Sequence, residues 1–269
     1  MTTKRNRVHI IPAVVIVGLF FLGGVSYSAE SALPGDFLYF VKIQLNEVVQ
    51  NKIAVTDKAK ARFESRIASR RFLEIEKLAG ENKLTTETLG DLHRRLDNNI
   101  KNFMEICLRI EKKDPKLATK IRSDFEVALA MYGDLLDKIQ GTKVVSQKEM
   151  AELITEIEQS RRDVSNSRMR LEEKEFGTEG PDEKTSVERA LLSAQNKIDQ
   201  VEMFMKSKRS VKNAVVFAEA DSRLKSAIGA LAEGKAKLEV PAYADAFALF
   251  KKAEREALAV ELFIENGEK

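Results

Sequence analysis

Catalysis at a protein site needs a nucleophile with a base, convergent carboxylates in a cleft, or a set of metal ligands. The chain holds few residues of those kinds: two histidines and one cysteine in 269 residues. His9 falls inside an apolar amino-terminal run, which leaves His93, in GDLHRRLD, without a second histidine to join it in the folded body. It reads as a surface or boundary residue of an amphipathic helix, rather than a base or a ligand. Cys107, in NFMEICLRI, has no partner for an intramolecular disulfide. Between Ile106 and Leu108 it reads as a small buried hydrophobe, the competing reading being a reactive or dimer-bridging thiol. No HExxH, GxSxG, phosphate-loop or calcium-loop pattern is present.

The charged clusters lead the same way. Asp134 with Asp137, and Glu172 with Glu173, sit among Lys and Arg at ion-pair spacing and read as solvated helix faces. Arg70–Arg71, Arg94–Arg95 and Arg161–Arg162 are interleaved with acids and form no stripe. Lys206, Lys208, Arg209 and Lys212 either attract an anionic polymer or, the preferred reading, cap the negative end of the preceding helix. Met203 and Met205 around Phe204 offer a soft binding surface or, again preferred, gap-filling core. The expectation is a protein that is not an enzyme and takes no metal or cofactor.

The elements that would position these residues are helices. Charged residues make up 32% of the chain and aromatics 7%, with no Trp, as in long helices with solvated outer faces. Pro34, Gly35 and Asp36 make a turn, after which FLYFVKIQLNEVV places Phe37, Phe40, Val41, Leu45 and Val48 on one helical face. That face is expected to pack on the bundle, the other seat for Phe37 and Tyr39 being a membrane interface.

Thr56 is expected to cap a helix with Phe63, Ile67, Phe72, Ile75 and Leu78 on its core stripe, ended by Gly80. Thr85 or Thr86 opens a long one through Leu89, Leu92, Leu96, Ile100, Phe103, Ile106 and Ile110. Asp114–Pro115 launches the next, ending at Gly141. Ser146 with Glu149 boxes a helix running to about Glu175. FGTEGPDEKT breaks the pattern as a linker, and Thr185 with Glu188 restarts it. Ser210 opens a helix ending at Gly234, and Pro241 begins the last one. The final pair is similar to one tetratricopeptide-type hairpin, one repeat where a solenoid needs about three.

Lys4, Arg5 and Arg7 precede a stretch from residue 8 to residue 29 with no Asp, Glu, Lys or Arg. That is long enough for a hydrocarbon core needing about 20 residues. Flanking positive charge places the amino terminus inside and the body outside the cytoplasm. The alternative is a cleaved signal peptide, with Ser26 and Ser28, or Ala29 and Ser31, ahead of the cut. Beyond that start the chain balances 42 basic against 42 acidic residues, so it lacks the clustered basic excess of a nucleic-acid binder.

The stretch ALPGDFLYFVKIQLNEVV, followed by TDKAKARFESRIASRRFLEIEKL, resembles an uncharacterised bacterial family of membrane-anchored extracytoplasmic helical domains, the DUF5667 kind, over roughly residues 32–139. Pro34, Gly35, Asp36, Leu38, Tyr39, Val41 and Lys42 match its opening motif, and Phe40 stands where a proline is expected. The resemblance implies an all-helical domain beside a membrane and no catalytic residue. Some relatives accompany sigma-factor regulators, which implies envelope sensing, yet about eight residues ahead of the run are too few for a cytoplasmic domain.

The combined expectation is an all-α chain, with a short cytoplasmic segment (1–7), a transmembrane helix or signal anchor (8–29) and a first helical domain (32–175). A linker (176–185) and a carboxy-terminal helical subdomain (186–269) follow. Its body would be an extracytoplasmic antiparallel helical bundle at the cell membrane. Its role would be binding or scaffolding of an envelope protein; the alternative is a secreted, signal-peptide-cleaved ligand-binding or regulatory protein.

Overall fold

Side-chain caps fix where the first long helices begin, because each supplies an acceptor to a backbone N–H that the helix leaves unpaired. Ala59 N donates to Thr56 Oγ1 at 3.1 Å, Thr88 N to Thr85 Oγ1 at 3.1 Å, and Leu117 N to Asp114 Oδ1 at 2.9 Å. These are caps the sequence predicts.

The computed structural model describes residues 26–140, 147–178, 183–209, 214–240 and 242–267. Residues 26–30 are helical. A strap follows, made of α1 (Tyr39–Val41), a π-helical turn (Lys42–Asn46) and α2 (Glu47–Ile53). The long helices are α3 (Asp57–Gly80), α4 (Thr86–Glu111), α5 (Pro115–Gln140), α6 (Gln147–Thr178), α7 (Glu183–Lys208), α8 (Ala214–Glu239) and α9 (Tyr243–Gly267). No strand occurs among the described residues. The protein is therefore all-helical, packed as a bundle.

Two large apolar cores organise it, beside a small cluster of Ala54, Phe63 and Ile67. The larger joins α3 to α6, with Phe72 stacked on Tyr132 at 4.0 Å between ring centroids and Phe103 against Phe125 at the same distance. All seven apolar residues predicted along α4 are buried, and so is Cys107. The smaller core joins α7, α8 and α9, with α9 packed against both partners. Contacts between α9 and α5 hold the two cores together.

Several expected boundaries move. Gly80 is the last residue of α3 rather than its terminator, and Asn82, with φ 55°, makes the left-handed turn. Short polar Asn tolerates that conformation without glycine. Gly234 lies inside α8, where a Cβ would stand 2.5 Å from Phe250 Cε1; its smallness serves close packing, not termination. Helix α6 continues past Glu175 to Thr178, carried by Phe176 packing 5.5 Å from the Phe247 ring. Glu183 starts α7, placing an acid at the positive helix end, so Thr185 lies within the first turn instead of capping it.

The caps expected at Ser146 and Ser210, the stop at Gly141 and the start at Pro241 lie outside the described residues, as does the proposed span up to residue 25. Among the described residues no helix is long and apolar enough to cross a membrane.

The strap carries the largest correction. The apolar face expected to pack on the bundle turns outward: Phe37 is 91% exposed, Phe40 68% and Leu45 52%. Polar residues of the same segment take the buried side instead.

Candidate functional site

The buried side of the strap is the most developed polar arrangement in the structure, and it is built from the motif at residues 34–42. Leu33 to Asp36 form a type II turn, with Asp36 N donating to Leu33 O at 2.9 Å. Pro34 presets the first central position, and Gly35, at φ 98°, occupies the second, which disfavours any side chain. Asp36 closes the turn a second time, its Oδ2 accepting from Leu33 N at 2.8 Å.

The turn aims α1 so that Lys42 and Tyr39 reach α3. Lys42 is 4% exposed. Its Nζ donates to Ala32 O at 3.0 Å and pairs with Glu74 Oε1 at 2.6 Å. Tyr39 Oη donates to Glu74 Oε2 at 3.1 Å and accepts from an Arg71 Nη at 2.8 Å. Arg71, 1% exposed, donates to Glu74 Oε2 at 2.7 Å and closes on Glu47 with its other Nη. Beside this cluster Arg70 pairs with Glu30 Oε2 at 2.8 Å. Asn46 donates to Glu30 Oε1 at 2.9 Å and to Ser26 O at 2.8 Å.

Lys42 and Asn46, four residues apart at the two ends of the π-helical turn, share its buried side. Three cations, Lys42, Arg70 and Arg71, thus meet three carboxylates, Glu30, Glu47 and Glu74. Such balance offsets the cost of taking charges out of water.

The electrostatics follow from burial. Tyr39 is pushed above the usual phenol range by desolvation and by the Glu74 carboxylate. Desolvation raises the Glu47 carboxyl, opposed by the Arg71 charge. Burial alone would lower Arg71, but Glu74 and Glu47 reverse the sign and hold it charged. The cluster is a clasp, in which the charges of the strap and of α3 are paired with one another.

Of the predicted motif residues, the structure brings Tyr39 and Lys42 into the clasp, with Pro34, Gly35 and Asp36 as the turn that aims them. Leu38 and Val41 are half-buried beside it. In the sequence Arg71 stands out only as part of an arginine pair interleaved with acids and forming no stripe, and Glu74 is not among the candidates. A signal was present: Ile67, Arg71, Glu74 and Leu78 follow one another at helical spacing, which puts both charges on the core stripe.

Elsewhere the structure separates the sequence candidates. His93 Nε2 meets Glu156 Oε2 at 2.6 Å on the surface, and burial pushes the Cys107 thiol up to about 12. Met205 is core and Met203 is 64% exposed. Arg209 pairs with Asp221 at 2.5 Å. Glu172, expected on a solvated face, lies between Arg168 and Arg255, the latter at 3.3 Å, and burial raises its carboxyl. Among the described residues no group of three or more His, Cys, Asp or Glu is arranged to hold a metal ion.

No curated protein and no solved structure matches the chain. Residues 31–174, which hold the motif, the turn and both sides of the clasp except Glu30 and Ser26, match one family over more than half of the chain. The chain belongs to the family described as a domain of unknown function (DUF5667).

Proposed function

We propose that the protein is anchored in a membrane by residues 8–29, amino terminus inside, and displays its helical body outside the cytoplasm as a non-catalytic binding or scaffolding module of the cell envelope. One observation carries this reading: the chain leaving the apolar run is clamped to the bundle. Asn46 and Arg70 hold residues 26–30 through Ser26 O and the Glu30 carboxylate. A loose tether needs no such joint, whereas a module that must stand at a set angle to its anchor does. The uncharged run and the positive residues before it support the orientation.

A second reading, a secreted protein freed by cleavage near Ser28, rests on a different observation. The clasp residues Tyr39, Lys42, Glu47, Arg71 and Glu74 all lie beyond residue 31, so a shortened chain keeps the buried network.

Intact-mass and amino-terminal analysis of native protein from membrane and soluble extracytoplasmic fractions separates the two. Full-length chain recovered in the membrane is the expected result; a soluble product beginning near Ala29 or Ala32 overturns the anchor. Crosslinking in intact membranes followed by affinity recovery tests the module: no partner above control in repeated trials counts against binding or scaffolding.

A further inference from the structure

Residues 39–53 are amphipathic with the usual polarity inverted. Lys42, Asn46 and Glu47 face the protein, while Phe40, Leu45, Val48, Val49 and Ile53 face outward. A helix of this kind gains nothing from burying its apolar stripe unless something outside the bundle covers it.

The exposure is local. Of fourteen large hydrophobic residues exposed among the described positions, eight fall between Tyr27 and Val55, and the other six are scattered singly over four long helices and the turn after α8. Isolated exposed residues need no explanation, but a concentrated set does.

Three observations select the occupant. First, the strap lies against the end of the uncharged run: Ser26 Oγ donates to Asn46 Oδ1 at 2.5 Å, one residue from Leu45. Secondly, Tyr27, 84% exposed, stands where that run ends, the depth at which aromatic residues favour a membrane–water boundary. Thirdly, Ile53 opens onto a cleft of about 450 Å³ whose other wall carries Lys58, Arg62 and Arg66. Cations beside an apolar rim suit phosphate headgroups above acyl chains.

We infer that the outward face of the strap, Phe37, Phe40, Leu45, Val49 and Ile53, lies in the surface of an anionic bilayer, with Lys58, Arg62 and Arg66 at its headgroups. The inference rests on the anchored reading above and adds a second, peripheral contact to it. The clasp then orients the body by holding that face level with the end of the anchor.

The chain has no Trp, so a single substitution makes a unique probe. Full-length Phe40→Trp, Val49→Trp and, as a control on α7, Leu192→Trp are reconstituted into vesicles of phosphatidylethanolamine and phosphatidylglycerol carrying brominated acyl chains. The expected result is severalfold stronger quenching of Phe40→Trp and Val49→Trp than of Leu192→Trp, with blue-shifted emission. If the protein floats with the vesicles but both strap probes escape quenching, the inference is overturned and the anchor stands. Blue-shifted unquenched emission then indicates a protein cover such as a second copy, and red-shifted emission indicates water. Failure to float overturns the anchor itself, and the inference with it. Replacing phosphatidylglycerol by phosphatidylcholine should weaken quenching of Ile53→Trp more than of Phe40→Trp; equal loss at both overturns the assignment of the three cations.

Discussion

The core shared by α3 to α6 and the core shared by α7 to α9 solve the same packing problem with different chemistry. Eight of the nine buried polar or charged residues among the described positions belong to the first region and its strap; the second holds only Ser186. Eight of the nineteen residues of the second core are alanines, against five of twenty-nine in the first. Small side chains let helix backbones approach closely, so the second region is specified by shape. The first is specified by matched partners as well. The difference teaches where each region is vulnerable: one to the loss of a charge, the other to the gain of a carbon.

The largest expected effect therefore lies in the clasp. Glu74→Leu leaves Lys42 and Arg71 buried without their shared carboxylate, and should cost about 3–5 kcal/mol in a denaturant titration. Replacing Lys42, Glu47, Arg71 and Glu74 together by apolar residues of similar size should recover much of that loss, since none of these four paired charges is then orphaned. A Glu74→Leu cost below that of an ordinary surface substitution would break the comparison at its root.

The counterpart in the second region is Gly234→Ala. The added methyl meets the Phe250 ring at 2.5 Å, and the ring must shift, at a cost of about 1–3 kcal/mol. Cys107 makes the test regional. Its thiol is buried in the first core with its pKa pushed up to about 12, so it should resist iodoacetamide until that core opens. In the Gly234→Ala protein, labelling of Cys107 below the main transition should stay as slow as in the parent; fast labelling would mean that the two cores open as one.

A smaller effect should appear with pH. Burial raises the carboxyls of Glu47, Glu64 and Glu172, so the folded state binds protons more tightly than the unfolded chain. Stability from such groups is whole below the unfolded pKa and is lost as pH rises through the folded one. Melting temperature should thus rise on acidification from neutrality to about pH 5. Glu64→Gln should flatten that slope, and at neutral pH should change stability by no more than about 1 kcal/mol, because Asn99 keeps an acceptor. Asp57, held low by hydrogen bonds from Lys113 and Arg109, acts in the opposite sense in stronger acid.

The smallest effect is expected on the strap's outer face. Phe37→Ser and Phe40→Ser should each stay within about 0.5 kcal/mol in a thermal melt, although apolar side chains are removed. A loss near that of a core phenylalanine would show that the face is covered by the body itself.

Much of this molecule was readable in its sequence. Thr56, Thr85 and Asp114 act as the expected caps because capping is local chemistry between a side chain and the next turn. The α4 stripe is readable for a related reason: its apolar residues recur from Leu89 to Ile110, over about six turns, on a single face. The strap shows the limit of the same reasoning. Periodicity identifies the residues that share a face, but which way that face turns is decided by Arg71 and Glu74, some thirty residues further on. The burial of Glu172 escapes sequence reasoning for the same cause, its partner Arg255 being on a distant helix. Gly234 reads as punctuation because the ring that needs its bare backbone belongs to another helix.

The clasp also has a direction in time. Lys42 and Tyr39 leave the ribosome before the residues that will hold them, and at ordinary rates of synthesis Arg71 and Glu74 follow on the order of a few seconds later. During that interval the strap has its apolar side chains but no lock. Phe37 and Phe40 are therefore synthesised before the two side chains that fix the direction in which they face.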